Sequence, residues 1–248
     1  MSEIEAVYTV WLREMIRYFR QKERIISSLV MPIFWLLIFG GSMRSSIDIG
    51  NVDYRSFITP GVIAMSLMFT SVMSGISIIW DKELGFMKEM LVSPVSRLSI
   101  VIGKALGTST TAIIQGLMVM LISIAIGLKI SLVTFLLIVP IMLLISLGLV
   151  GIGISIGSLM NNIEGFQLIM NFLVMPMFFL SGALFPINNL PIFLRIITYI
   201  DPLTYGVELL RYMIIGTSSI PIVVNFLIVS GFSSLTIISS VWLFSRRH

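Results

Sequence analysis

The chain has 248 residues, 57% of them hydrophobic and only 11% charged, with a formal net charge of +4 and a mean hydropathy of +1.05. A water-soluble domain carries about a quarter charged residues, so this composition excludes a soluble globular protein. The absence of cysteine excludes disulfides, thiolate metal sites and a cysteine nucleophile, and the single histidine, His248, leaves little of the usual catalytic repertoire.

Residues 1–25 contain Glu3, Glu5, Glu14 and Glu23 among basic residues and have no apolar core ahead of a small-residue cleavage site, so they do not read as a signal peptide. Ile4, Val7, Tyr8, Trp11, Leu12, Met15, Ile16 and Phe19 follow the spacing of one helical face, and Glu5, Thr9, Arg13, Arg17 and Arg20 fall on the other. The pattern predicts an amphipathic helix lying at the membrane surface, either as a plain anchor or also as a docking element for a cytoplasmic partner.

A helix needs about 20 apolar residues to cross a hydrocarbon core of about 30 Å. Six runs free of Asp, Glu, Lys and Arg approach or exceed that length: 26–43, 57–79, 105–127, 133–159, 167–185 and 222–244. They predict an all-α integral membrane protein of six transmembrane helices, with Pro32, Pro140 and Pro176 marking kinks. Gly148, Gly151, Gly153 and Gly157 form a small-residue strip in the fourth run, suited to close helix approach within the chain or at a dimer seam.

Two connections are longer than a turn requires. In residues 80–104, the charged Asp81, Lys82, Glu83, Lys88 and Glu89 are interleaved with Leu84, Phe86, Met87, Met90 and Leu91 before Pro94, which predicts a short surface helix able to contact another protein. The segment 186–221 contains two apolar helical pieces, 191–200 and 203–215, each too short to cross. Pro191 and Pro202 suit first helical positions, Asp201 can cap the second piece and Gly216 can end it, while Glu208 and Arg211 can pair on one face. This segment reads as re-entrant helices before the last span, acting as a lid or a gate.

Basic residues are retained on the cytoplasmic side of a membrane. With an inside N-terminus, eleven of the sixteen Lys and Arg residues fall in cytoplasmic segments and five in external ones, so both termini are expected in the cytoplasm. That asymmetry accounts for the net charge, and no basic patch is left over for a nucleic acid.

The surface helix before the first span, Glu83-x-Gly85 followed by Leu91-x-Ser93-Pro94-x-x-Arg97 and Gly103-Lys104, and Phe185-Pro186 with Leu190-Pro191, Asp201-Pro202 and Leu210-Arg211 occur in this order across the six spans. In that arrangement the chain resembles the membrane subunit of an ABC exporter of the ABC-2 type, the class that includes drug, lipid and polysaccharide permeases. The resemblance implies a multi-pass protein of the plasma or inner membrane. It implies an ATPase-coupling element carried by Asp81, Lys82, Glu83, Gly85, Leu91, Ser93, Pro94 and Arg97, although Phe86 stands where many relatives have Thr. It also implies an outer re-entrant gate comprising Phe185, Pro186, Pro191, Asp201, Pro202, Glu208 and Arg211.

No Gly-x-x-x-x-Gly-Lys-Ser/Thr occurs in the chain, so it has no phosphate-cradling loop of its own. The implied assembly is two P-loop ABC ATPase subunits, which bind ATP and magnesium, with two permease chains, identical or homologous, in a lipid bilayer. This chain is expected to bind no metal or cofactor and to be no enzyme by itself. Phe69, Gln115, Asn171, Phe178, Phe179 and Ser181 could line a cargo path, and the charge-free spans favour an apolar or amphiphilic cargo. A secondary carrier or channel, an intramembrane protease and a non-transporting assembly or immunity factor are the competing readings. The first is disfavoured where it needs ionisable groups in the spans, and the second by aspartates that all lie outside them.

Overall fold

The computed structural model describes residues 2–42, 53–92 and 95–247, except for the side chains of residues 24, 41, 42, 88, 89, 91 and 247. All regular structure among these residues is helical: α1 Glu3–Arg20, α2 Lys22–Ser42, α3 Tyr54–Val72, α4 Ser74–Glu83, α5 Phe86–Val92, α6 Arg97–Ala125, α7 Leu132–Leu159, α8 Ile163–Leu180, α9 Ile192–Ile200, α10 Pro202–Ile215 and α11 Ile222–Arg247, with a 3-10 turn at Ile187–Asn189. In hydrocarbon every backbone N–H and C=O must be bonded within its own segment, which helices achieve.

Five helical stretches are long and apolar enough to cross a membrane: Tyr54–Glu83 (α3 with α4), α6, α7, α8 and α11. The pair α1 and α2, bent by 73° at the break between them, passes the same test only when taken as one broken span, which brings the crossings to at most six, and α1 runs alongside the first turns of α6. The helices extend beyond the charge-free runs. The second span continues through Asp81 to Glu83, and the third begins at Arg97 rather than at residue 105, so Lys104 lies two turns inside α6. Both shifts arise because these charged groups are satisfied by other parts of the protein, so the helix need not stop where the apolar run does.

Lipid tails are as apolar as leucine, so packing rather than the hydrophobic effect holds such helices together, and small residues set the contacts. A Cβ placed on Gly148 or Gly151 would lie 2.7 Å from Phe232 or Thr236 of α11, and one on Gly153 or Gly157 would lie 2.4 or 2.6 Å from Val72 or Gly75. The glycine strip of α7 is therefore consumed within the chain, against α11 on one side and α3 with α4 on the other. The second span is central, 72% buried, whereas α8 and α11 are 22% and 17% buried and present residues such as Phe172, Phe226 and Leu227 outward.

Arg97 at the start of α6 donates to the Ser245 carbonyl near the end of α11, and Glu3 of α1 accepts from Ser96 at 2.7 Å. Both ends of the described chain thus lie at one end of the bundle, together with α5. The α9–α10 hairpin lies at the other end. It leaves from the end of α8 and returns to the start of α11, and Gly206 meets Ile145, midway along α7. The hairpin dips to mid-bundle and returns, as re-entrant helices do.

Candidate functional site

Ser2 caps α1 through a reciprocal box with Glu5, and the helix then lies on α6 over two glycines one turn apart. A Cβ on Gly103 would sit 2.7 Å from Val10, and one on Gly107 2.7 Å from Glu14. This close approach divides α1 into three faces. Ile4, Tyr8, Leu12, Ile16 and Phe19 remain exposed on the apolar side. Ala6, Glu14, Met15 and Tyr18 are buried, and Arg13 and Arg17 reach across to the second span.

There they meet a buried carboxylate. Asp81, with no exposed surface, accepts from Lys104 Nζ at 2.5 Å and Arg13 Nη2 at 2.8 Å, with Arg17 Nη2 at 3.6 Å. Lys104, 2% exposed, also donates to Ser77 at 2.8 Å and lies 3.5 Å from Glu14. Glu14 in turn is 3.6 Å from Arg13 and 3.9 Å from Arg17. Three cations and two carboxylates thus fasten α1, α4 and α6 to one another. Leaving any one of these charges unpaired at this depth would cost several kcal/mol. At the start of α1, hydrogen bonds from the Ser99 and Ser96 hydroxyls hold the Glu3 carboxyl below its usual range.

The predicted coupling residues divide into two groups around this cluster. Asp81 and Lys82 face inward: Lys82 Nζ donates to the carbonyls of Ser158 and Met160 at 2.9 and 3.0 Å and lies 3.4 Å from that of Gly157, so its charge caps the C-terminal end of α7. Glu83, Leu84 and Phe86 are exposed, and Gly85, at φ 79°, makes the left-handed turn that starts α5. In α5 Met87 is buried in a second apolar cluster with Ile78, Ile100, Val101 and Phe244, while Val92 is 86% exposed. Leu91 lies in α5, and Arg97 is exposed beside the end of α11. Ser93 and Pro94 lie outside the described residues. The result is a short helix seated on the bundle end by Met87, with Met90 packed beside it, and presenting Phe86 and Val92 outward next to the exposed Glu83 and Leu84.

At the opposite end, Arg211 and Glu208 pair and are 3% and 0% exposed. Arg211 also donates to the Gly182 carbonyl at 2.7 Å and stacks 4.1 Å above the Phe57 ring. Glu208 accepts from the Ser218 hydroxyl at 2.9 Å and from the Ser219 amide. Asp201 Oδ1 caps α10 through the Leu203 amide at 2.9 Å, Pro202 is its first residue, and Gly216, at φ 74°, ends it. Pro191 stands one residue before α9, Pro186 precedes the 3-10 turn and Phe185 is exposed.

The six residues expected to line a cargo path do not form one path. Phe69 and Gln115 line a cavity of about 150 Å³ beneath α1. Phe178 and Phe179 form an aromatic group with Trp35 on α2, Ser181 donates to the Phe178 carbonyl at 2.7 Å, and Asn171 is exposed on α8. Sequence reasoning missed Arg13, Glu14, Arg17 and Lys104 as a set, because Arg13 and its partner Asp81 are 68 residues apart. The one signal was a glutamate on an arginine-rich helical face. Among the described residues no three His, Asp or Glu side chains are grouped to hold a metal.

The chain can be placed among known proteins over nearly the same stretch that carries these features. It is 28% identical over 215 residues to the transport permease ycf38 of Cyanophora paradoxa, covering 85% of this chain and 74% of that one. It is 25% identical over 231 residues to the inner membrane transport permease YadH of Escherichia coli (strain K12), covering 89% and 87%. It is 30% identical over 179 residues to a protein named as a multidrug ABC transporter permease, YbhR, of the same strain, covering 71% and 48%. The family model described as ABC-2 type transporter matches residues 5–215, from the first turns of the surface helix through the α9–α10 hairpin, and the chain belongs to that family of membrane-embedded transport subunits.

Proposed function

We propose that this chain is one of two permease subunits of an ATP-driven exporter in the plasma or inner membrane, with α5 seating on a separate ABC ATPase. Members of the family are transport subunits that do not catalyse by themselves and generally work with such an ATPase. Two ATPase copies, with ATP and magnesium bound there, and a second permease chain, identical or homologous, complete the assembly. The end bearing α1, α5 and both ends of the described chain is assigned to the cytoplasm by its excess of Lys and Arg. The α9–α10 hairpin then faces outward. The long charge-free runs within the spans, together with the multidrug designation of YbhR, support an amphiphilic or apolar cargo moved outward.

The observation that carries the coupling role is the exposed surface from the end of α4 through α5, where Glu83, Leu84, Phe86 and Val92 project from a base locked by buried charges. Closure of the ATPases would push on that surface, and the base would pass the push to α1, α4 and α6 together. The test is to tag the chain, purify it gently from native membranes and identify what accompanies it. A stoichiometric P-loop protein is expected, and Glu83→Lys should lower the stimulation of its ATPase by cargo while insertion and folding persist. A chain that emerges alone, with transport unchanged by Glu83→Lys, would overturn the proposal.

A further inference from the structure

The cavity beneath α1 is partly open and is lined by residues of α1, α2, α3, α4 and α6, next to the buried charge cluster. Its volume, about 150 Å³, holds a few water molecules, at a share of roughly 30 Å³ each. A drug-sized molecule takes roughly 300–1,000 Å³, so only a part of one would fit. The walls are of two kinds. Phe69 on α3 and Met73, between α3 and α4, supply apolar surface, and Glu14, Arg17, Thr108, Thr111 and Gln115 are among the polar groups.

Arg17 is the unusual member. Its guanidinium has five N–H donors, and none makes a hydrogen bond to another described residue. Its nearest carboxylates are Asp81 at 3.6 Å and Glu14 at 3.9 Å, the Trp80 ring lies 5.8 Å away, and its Nη1 is buried without a hydrogen-bond partner. Arg13 and Lys104 approach Asp81 Oδ2 much more closely, at 2.8 and 2.5 Å; Asp81 Oδ1 and Glu14 Oε1, the oxygens nearest Arg17, make no hydrogen bond, and the cluster as a whole carries one more cation than carboxylate. The Thr108 hydroxyl, on the same wall, also has no hydrogen-bond partner among the described residues. A fork of unmade donors with surplus positive charge beside an apolar wall matches the head of an anionic amphiphile.

We infer that this cavity is the loading site for the anionic head, a phosphate or carboxylate, of an amphiphilic cargo, with Arg17 as the group that grips it. The inference rests on the export reading and adds to it the charge of the cargo head and the place where the cargo is first held. Glu14 lines the cavity and Asp81 lies beside it; Arg13 and Lys104 pair with both, which leaves the net charge around Arg17 positive. Arg17 is the cation able to turn its donors to a ligand. Thr108 adds one hydroxyl donor, and Phe69 and Met73 receive the first methylenes of the tail.

The test uses the full chain as it is purified, in neutral detergent, with dodecyl phosphate as probe, dodecyl maltoside as the uncharged comparison and inorganic phosphate as the head without a tail. Dodecyl phosphate is expected to bind and dodecyl maltoside not to compete. Arg17→Gln should weaken binding roughly tenfold or more, the loss expected for charge-assisted hydrogen bonds, and Arg17→Lys should recover part of it. Thr108→Val, which leaves the ion cluster intact, should weaken binding several-fold, and Arg20→Gln, exposed on the last turn of α1, should change nothing. Binding of dodecyl phosphate alone assigns an amphiphile, and equal binding of inorganic phosphate assigns the head group by itself. Dodecyl phosphate affinity that is the same in wild type, Arg17→Gln and Thr108→Val would overturn the inference. The export reading stands or falls separately, on the co-purified ATPase.

Discussion

Replacing Asp81 by asparagine keeps the shape of the side chain and removes one negative charge from a site with no exposure to solvent. Arg13, Arg17 and Lys104 then face Glu14 alone, and the two shortest ion pairs of the cluster, 2.5 and 2.8 Å, are deprived of their carboxylate. Removing one partner of a buried ion pair costs about 3–5 kcal/mol. Arg13 and Arg17 are 36% and 24% exposed and can turn partly toward water, which places the loss at the low end, about 3 kcal/mol. Lys104→Met should cost less, about 1.5 kcal/mol, because it leaves two cations facing two carboxylates. The double variant should cost less than the sum of the two, since it removes both ends of the shortest pair. Thermal unfolding in detergent would read the order directly, with Asp81→Asn lowering the midpoint by roughly 6–12 °C and Lys104→Met by about half as much. If Lys104→Met proved as damaging as Asp81→Asn, the assignment of surplus positive charge to this cluster would be wrong.

Three further outcomes follow from local geometry. Gly107→Val puts a branched side chain where a Cβ is already 2.7 Å from Glu14; it should lift α1 from α6, cost about 1–3 kcal/mol, and speed trypsin cleavage near Arg20 and Lys22. Gly216→Ala meets no atom within 4 Å, yet forces φ 74° on a residue with a Cβ, so a loss of about 1 kcal/mol should appear in thermal unfolding without any change in cargo binding. The Glu3 carboxyl is held below its ordinary value of 4.5 by the serines at the start of α6. A depressed carboxylate stabilises above the unfolded value and loses that contribution as pH falls through the folded one. A spin label at the start of α1 should therefore stay immobile near neutral pH and become mobile only below 4.5.

The features legible in the sequence are those whose physics is local. Five of the six apolar runs correspond to helices long enough to cross by themselves, and the first to the apolar half of the bent pair α1 and α2, because a helix in lipid needs nothing beyond its own backbone bonds. The Glu208–Arg211 pair was visible because i and i+3 share a helical face, and the ends of α10 because Asp201, Pro202 and Gly216 act within one turn. What those residues bind over distance was not visible: Gly182 and Phe57 for Arg211, Ser218 for Glu208. The same limit applied to α1. Its periodicity separated an apolar face from a charged one, and arginines at a membrane surface are adequately explained by headgroups. Only the glycines at 103 and 107 bring the helix close enough for Arg13 and Arg17 to reach Asp81. For Asp81 and Lys82, the interleaved charges predicted places on a short surface helix, whereas folding turns both inward, one to cations and the other to the carbonyl end of α7.

The rod Tyr54–Glu83 meets buried charge near both of its ends. At one end Asp81 is held by α1 and α6. At the other, Tyr54 donates to the Leu184 carbonyl at 3.1 Å and Phe57 lies under Arg211 of the re-entrant hairpin. Between them the rod is lined with approaches too tight to compress, Gly61 against Ala183 and Gly75 against Gly153 and Gly157. Packed interiors respond to a push by moving as blocks or by switching between discrete arrangements, not by deforming continuously. A displacement of α5 relative to α6 cannot be absorbed at Asp81 without separating charges that lie 2.5–2.8 Å apart, so α1, α4 and α6 must move as one body. The surfaces able to yield are those without charge, the apolar faces of α8 and α11 among them. Because the far end of the same rod sits beneath Arg211, a tilt begun at α5 reaches the hairpin through a single helix pair, with Met73, between α3 and α4, as the one joint along its length.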